Sequence, residues 1–360
     1  MRIGLVINPV AGVGGRVGLK GSDGAEVQER AFALGAVARA GERATVALRE
    51  LRSRRPDAAV LTAAGAMGED AAREAGLSPM VVYAPGDPTS AADTVAAARL
   101  LAPQVELLLF AGGDGTARDV LEAVGATVPV LGVPTGVKMH SAVFAVNPRA
   151  AGEVAASSSR LRDAEVVDRV DGSTQLFGYL RVPDIPTRVQ QRKTGSSGIT
   201  PDAVSGIATD LLDLAGPGGP LVLGPGTTTR AIAALWGVDV PVLGVNVLAD
   251  KRLVAADVSG DELLKLVSAD SPAPARIAVT PIGGQGFLLG RGNQQLSPEV
   301  LRRVGLDRLH VVATEAKLAA LGGRPFLVDT GDPELDHEFP AYLRVVTGHH
   351  RTTLYPLERQ

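Results

Sequence analysis

Cysteine is absent from this 360-residue chain, which excludes a disulfide framework, a thiolate metal site and a thiol nucleophile. Aromatic residues make up only 3% of it, while Ala and Gly abound, so the cores have to be built from Leu, Val and Ala with closely packed helices. No apolar run approaches the roughly 18 residues that a membrane span needs. An excess of one charge is missing too: a formal net charge of −3 argues against polyanion binding and against a polybasic membrane surface. These absences leave a globular chain expected to be soluble and cytoplasmic, with neither nucleic acid nor membrane as partner. Its length exceeds what one core usually serves, so two domains are expected.

What the chain does have is a stretch that joins a buried strand to a helix through a glycine-rich turn, Leu107 to Asp119. Leu107 to Ala111 is apolar without alternation, the pattern of a strand buried on both faces of a parallel sheet. Gly112, Gly113 and Gly115 then allow positive φ and close backbone approach, and Thr116 is a helix-capping type. A turn of this kind aims N–H groups and the positive end of a helix outward, which suits phosphate. Asp114 adds a carboxylate that would repel bound phosphates unless it holds Mg²⁺ or takes a proton from an attacking hydroxyl. Both tasks belong to phosphoryl transfer; a tight turn with a solvated Asp is the alternative.

Other turns repeat the logic. Ile3 to Ile7 is a strand followed by Asn8-Pro9-Val10-Ala11-Gly12, a second glycine-bearing turn at a strand's carboxyl end, where ligands of open α/β sheets gather. Residues 25 to 54 read as two helices broken near Gly41, with Glu26, Glu29, Arg30 and Arg43 on the wet side. Strands at Ala58 to Thr62, Met80 to Tyr83 and Val128 to Val133 alternate with helices, including Ala91 to Leu101 capped by Thr89 or Ser90. That alternation predicts a Rossmann-like parallel-sheet domain. After Val133, Gly136 and Lys138 lie in a loop that meets the Asp114 turn if consecutive strands are neighbours, with Lys138 as a point charge for phosphate. His140, in the same loop, reads as a surface hydrogen-bonder rather than a base.

Pro148 to Leu161 reads as a helix that closes an N-terminal domain of residues 1–162, and residues 163–360 form a C-terminal mixed α/β domain. Val166 to Val182 gives a hairpin turning at Asp171-Gly172-Ser173, and Pro183 to Pro201 a loop or crossing segment. Gly226, Thr227 and Thr228 open a helix after the strand Leu221 to Leu223, offering caps and phosphate donors. Val240 to Val247 is a further strand, Phe287 to Leu289 a short one, and Tyr342 to Val346 the last. Arg291 and Asn293 sit in a polar cluster able to read a ribose or a base edge. The acidic run Asp329 to Glu338 reads as a turn with solvated carboxylates, ligation of a hard cation being the alternative.

Gly112-Gly113-Asp114-Gly115-Thr116 resembles the signature shared by NAD kinases, diacylglycerol and sphingosine kinases and, more distantly, phosphofructokinases. Along its whole length the chain is similar to the ATP-NAD kinase branch named after acetoin catabolism protein X. The matching stretches include Asn8-Pro9, Leu19 to Gly24, Met67-Gly68-Glu69, Gly136-Val137-Lys138, Gly178-Tyr179, Gly224 to Thr227, Pro281 to Pro298 and Val328 to Asp332. The resemblance implies ATP with Mg²⁺ over the central glycines, Asp114 as base or magnesium partner, NAD as phosphoryl acceptor, and participation in NAD metabolism. A small-molecule nucleotide is the expected partner, and a homo-oligomer the expected assembly. Two features depart from the pattern: no Asn-Glu or Asn-Asp pair occurs anywhere, and the acidic stretch of the branch near Glu165 is replaced by Val167-Asp168-Arg169-Val170. A kinase of a lipid or other small alcohol and a non-catalytic nucleotide sensor are the alternatives.

Overall fold

The computed structural model describes residues 1–14, 17, 19, 25–135, 139–157, 160–170, 173–185, 189, 201–282 and 286–358. The chain forms two compact units, one of residues 1–14 and 21–193 and the other of residues 15–20 and 194–360.

The first unit contains β1 (Arg2–Ile7), α1 (Ala25–Ala33), α2 (Ala40–Arg54), β2 (Ala59–Ala63), α3 (Glu69–Glu74), β3 (Met80–Tyr83), α4 (Ala91–Leu101), β4 (Leu107–Gly112), α5 (Asp114–Val124), β5 (Val130–Pro134), α6 (Pro148–Ala156), β6 (Leu161–Val170) and β7 (Ser173–Pro183). Strands β1 to β5 make a five-stranded sheet in the order β3-β2-β1-β4-β5, every pair parallel. Each residue of β4 is buried, as an unalternating apolar run requires when helices cover both faces of a parallel sheet. Helix α2 packs with α6, and α4 with α5. The sequence order of strands reverses between β1 and β4, because β2 and β3 extend the sheet to one side of β1 and β4 and β5 to the other. Such a switch point leaves a crevice at the strands' carboxyl ends.

Three expectations shift here. The two N-terminal helices part at Gly35, whose φ is +81°, and not near Gly41, which lies inside α2. Arg43 is not on the wet side: it is half-buried and its Nε donates to the carbonyl of Pro134 at the end of β5. Helix α6 ends at Ala156, and Leu161 already begins a strand. The antiparallel β6–β7 hairpin therefore starts earlier than expected, and it packs on α5 and β5. Gly178 lies against Leu121 of α5, and Arg118 of that helix pairs with Asp168 at 3.0 Å and sits over the Phe177 ring. The hairpin is accordingly grouped with the first unit. Asp171 and Gly172 of the turn, and most of the segment from Pro183 to Pro201, lie outside the described residues.

The second unit contains α7 (Pro201–Ala215), β8 (Leu221–Leu223), α8 (Thr227–Leu235), β9 (Asn246–Ala249), β10 (Arg252–Ala255), α9 (Gly260–Ser268), β11 (Arg276–Val279), α10 (Pro298–Val304), β12 (Leu309–Val312), α11 (Glu315–Ala319), β13 (Phe326–Leu327), α12 (Pro333–Glu338), β14 (Tyr342–Gly348) and β15 (Arg351–Glu358). Its sheet runs β10-β9-β8-β11-β12-β14-β15-β13, with β8, β11, β12 and β14 mutually parallel, β9 antiparallel to both β8 and β10, and β15 antiparallel to β14. Alternate residues feed two cores: Val222, Ile277, Val279, Val311 and Val345 meet α9, α10 and α12 on one face, while Leu221, Leu223, Ala278, Val312 and Val346 meet α7 and α8 on the other.

Here too some elements differ from expectation. The strand expected over Val240 to Val247 is Asn246–Ala249, and Phe287 makes only an isolated bridge with Leu327. Strand β15 follows the one expected to be last; its exposed, threonine- and arginine-bearing first half hides the alternation that marks a half-buried strand. The acidic run is not a solvated turn. Asp332 caps α12 by accepting from Leu335 N at 3.1 Å, Pro333 takes the first helical position, and Asp336 is buried against Thr330.

Candidate functional site

In the first unit the crevice at the switch point is lined by the turns after β1, β4 and β5. Asn8 Nδ2 donates to Thr116 Oγ1 at 3.1 Å, while Asn8 Oδ1 accepts from Val10 N and so folds its own turn. Gly12 has a φ of +81°, which an L side chain rarely adopts. At the end of β4, a Cβ on Gly112 would lie 2.3 Å from the Thr116 side chain, so only glycine lets α5 start this close to the strand. Gly113 is the N-cap of α5, and no side chain caps that end. An uncapped helix N-terminus behind glycines is an anion cradle. Gly115 and Thr116 lie in the first turn of α5, with Thr116 buried.

Asp114 opens α5, and its side chain is 5% exposed. Its Oδ2 accepts from the backbone N–H of His140 at 2.7 Å and lies 3.2 Å from His140 Nδ1, and Oδ1 accepts from Ser141 N at 3.0 Å. His140 is therefore not a surface residue, as the sequence suggested, but the ring against the carboxylate. A chain of packing holds it there. Ser141 is fully buried, donating to Val167 O at 2.8 Å and accepting from Val167 N at 3.1 Å. Phe144 packs edge-on against Phe110, centroids 5.3 Å apart, over Gly132, where a Cβ would sit 2.2 Å from the Phe144 ring. Sequence reasoning missed this because His140 and Asp114 meet only through the β4–β5 pairing and the Phe144 anchor. The small Gly132 before Phe144 was the available signal.

A hard divalent cation takes carboxylate oxygens, and Asp114 Oδ1 keeps a lone pair after accepting one hydrogen bond, so the donor set fits such an ion beside a polyphosphate. Gly136 and Lys138 lie outside the described residues.

The second unit presents a similar end. Gly226, with φ +147°, is the N-cap of α8 without a side-chain cap, and a Cβ on it would come within 2.6 Å of Thr280. Thr227 is the first helical residue, and the buried Thr228 hydroxyl accepts from Lys317 Nζ at 3.3 Å. Thr280 Oγ1 accepts from the same ammonium at 2.8 Å. Lys317, on α11, is thus a cation at this helix N-terminus that sequence reasoning overlooked, since its helix follows a different strand. Arg291 is buried with its guanidinium over the Phe287 ring. Asn293 donates to Leu288 O at 2.7 Å and accepts from Gly290 N at 3.0 Å, so it holds its own loop. Gly283, Gly284 and Gln285 are outside the described residues.

Among solved structures, one from Bacillus anthracis str. Sterne named for diacylglycerol kinase is 14% identical, with a TM-score of 0.27; 48% of this chain is covered and 47% of that one, so the chain spans about half its length. No curated protein matches the sequence. The family descriptions are more extensive: residues 3–162 match the ATP-NAD kinase N-terminal domain and residues 222–357 the ATP-NAD kinase C-terminal domain. With glycine turns at the carboxyl ends of parallel strands in both units and both domain types matched, the chain belongs to the ATP-NAD kinase family.

Proposed function

We propose that this protein is an ATP-dependent kinase that phosphorylates the 2′-hydroxyl of the adenosine ribose of NAD, giving NADP. The observation that carries the reading is the buried Asp114 carboxylate at the uncapped start of α5, held by the N–H groups of His140 and Ser141 with the His140 ring against it. A carboxylate fixed beside an anion cradle supports proton acceptance from a hydroxyl as that hydroxyl attacks phosphorus. In the step, the ribose oxygen forms a bond to the γ-phosphorus, the bond from that phosphorus to the bridging oxygen breaks, ADP leaves, and the hydroxyl proton passes to the Asp114–His140 pair. Gly112, Gly113, Gly115 and Thr116 receive the phosphates, with Asn8 orienting the Thr116 hydroxyl. Where a divalent cation such as Mg²⁺ is bound, the Asp114 carboxylate is the residue that would hold it, and it would supply neutralisation of phosphate charge. Most of the acceleration then comes from positioning and charge stabilisation.

The test is incubation of the protein with Mg²⁺-ATP and NAD, NADH, nucleosides, acylglycerols or sphingoid bases, with products identified by mass. NADP is expected, with turnover lowered about 10²- to 10⁴-fold in Asp114→Asn. His140→Gln is expected to lower turnover more than it raises the KM for NAD. Phosphorylation of a different alcohol would move the acceptor. Nucleotide binding without any product would favour a sensor, the reading that the missing Asn-Glu pair supports.

A further inference from the structure

Far from both glycine turns in sequence, the tip of the β14–β15 hairpin places two histidines beside a carboxylate of α7. Asp210 lies one helical turn after Gly206, on the same face of α7. The hairpin backbone is pressed against that face: a Cβ on Gly206 would lie 2.4 Å from His349 N, so only glycine lets the turn approach. His350 adopts a left-handed φ of +51°, and its backbone N–H donates to Asp210 Oδ1 at 3.0 Å. The two imidazole rings stack with centroids 3.8 Å apart. Nδ1 of His349 lies 3.7 Å and Nδ1 of His350 3.6 Å from that same carboxylate oxygen.

These two separations are too long for hydrogen bonds. They match donors arranged around a common ion: ligand atoms about 2.0–2.1 Å from a tetrahedral Zn²⁺ stand about 3.4 Å apart. One ligand atom from each of the three residues lies within 4.8 Å of the others. Asp210 is mostly buried, His349 half-exposed and His350 exposed, so the anionic ligand is fixed by the fold and the rings are free to make the last adjustment. The open side has room for water as a further ligand, because His350 also lines a cavity of about 590 Å³ with Glu315, Thr347, Arg351 and Thr352.

We propose that Asp210, His349 and His350 form a binding site for a divalent transition metal of the Zn²⁺ type, which fastens the β14–β15 hairpin to α7. Two imidazoles and one carboxylate select Zn²⁺, Co²⁺ or Ni²⁺ over Mg²⁺, which prefers oxygen donors alone. This inference does not depend on the proposed kinase chemistry.

The experiment is titration of the full-length protein with Co²⁺, read by visible absorption, and with Zn²⁺, read by calorimetry and by thermal unfolding. Wild-type protein is expected to bind one ion per chain through these three residues, undisplaced by a hundredfold excess of Mg²⁺, and to unfold at higher temperature with Zn²⁺ present. The double variant His349→Gln, His350→Gln and the single variant Asp210→Asn are expected to weaken Co²⁺ binding at least tenfold and to lose the thermal shift. Both keep the backbone contacts of the turn, and circular dichroism checks that they fold. Co²⁺ affinity unchanged in both variants, or no binding by wild-type protein at millimolar Zn²⁺, overturns the proposal.

Discussion

Individual residues carry the sharpest electrostatic consequences. Burial pushes the Asp336 carboxyl up to about 6 although Thr330 donates to it through both N–H and hydroxyl, at 3.1 and 2.6 Å, because desolvation outweighs the two hydrogen bonds. A carboxyl whose folded-state value is raised contributes stability below its unfolded value near 3.9, and that contribution is lost as pH rises through 6. Asn at this position keeps the acceptor oxygen for Thr330 without the charge. Asp336→Asn is therefore expected to match wild type in urea unfolding at pH 4 and to exceed it by about 1–3 kcal/mol at pH 8. A wild-type advantage at pH 8 would show that the carboxylate is stabilised rather than strained there. Asp93 works in the opposite direction. Gly86 N–H, the Ser90 hydroxyl and backbone, and Tyr83 OH all donate to it, and they hold its carboxyl well below the usual range. Its contribution is present at neutral pH and fades only as pH falls toward that depressed value.

At the scale of elements, the geometry of the Asp114 site is set by one strand that has no side chain where another element needs space. Gly132 in β5 exchanges backbone hydrogen bonds with Val143 and Ala145, and its missing Cβ admits the Phe144 ring, which in turn packs on Phe110 directly before the glycine turn. The segment carrying His140 and Ser141 is thereby anchored at the level of Asp114. Gly132→Ala puts a carbon 2.2 Å from Phe144 and 2.9 Å from Phe110. Overpacking of this kind costs about 1–3 kcal/mol. The variant is expected to lose that much in urea unfolding and to lose turnover as well, since displacing Phe144 moves the N–H donors off the carboxylate. Destabilisation with full kinase turnover would break the link between the aromatic anchor and the site.

For the whole molecule, the two units carry separate cores: β4, β1 and β5 with their helices in the first, and the two faces of the eight-stranded sheet in the second. A fragment of residues 1–193 therefore contains every strand and helix of the first sheet and its hairpin. It is expected to unfold in a single cooperative urea transition followed by circular dichroism, and to reproduce the Gly132→Ala shift. A non-cooperative melt would mean that the first core depends on the rest of the chain. No described helix is long and apolar enough to cross a membrane.

The sequence by itself determined what depends on local pattern. Unalternating apolar runs gave the buried parallel strands, the Thr89-Ser90 pair gave a helix start, and Gly112 to Thr116 gave the turn, because strand burial, capping and glycine conformations are set by residues adjacent in the chain. Tertiary structure alone decided what depends on pairing across distance. It placed β1 beside β4, so that Asn8 reaches Thr116, and it turned His140 from an apparent surface residue into the partner of Asp114. It also brought Lys317 to the start of α8, committed Asn293 to its own loop, and set Asp210 beside His349 and His350. Sequence spacing carries no record of such meetings, since they are fixed by sheet order and by where a missing Cβ lets two elements touch.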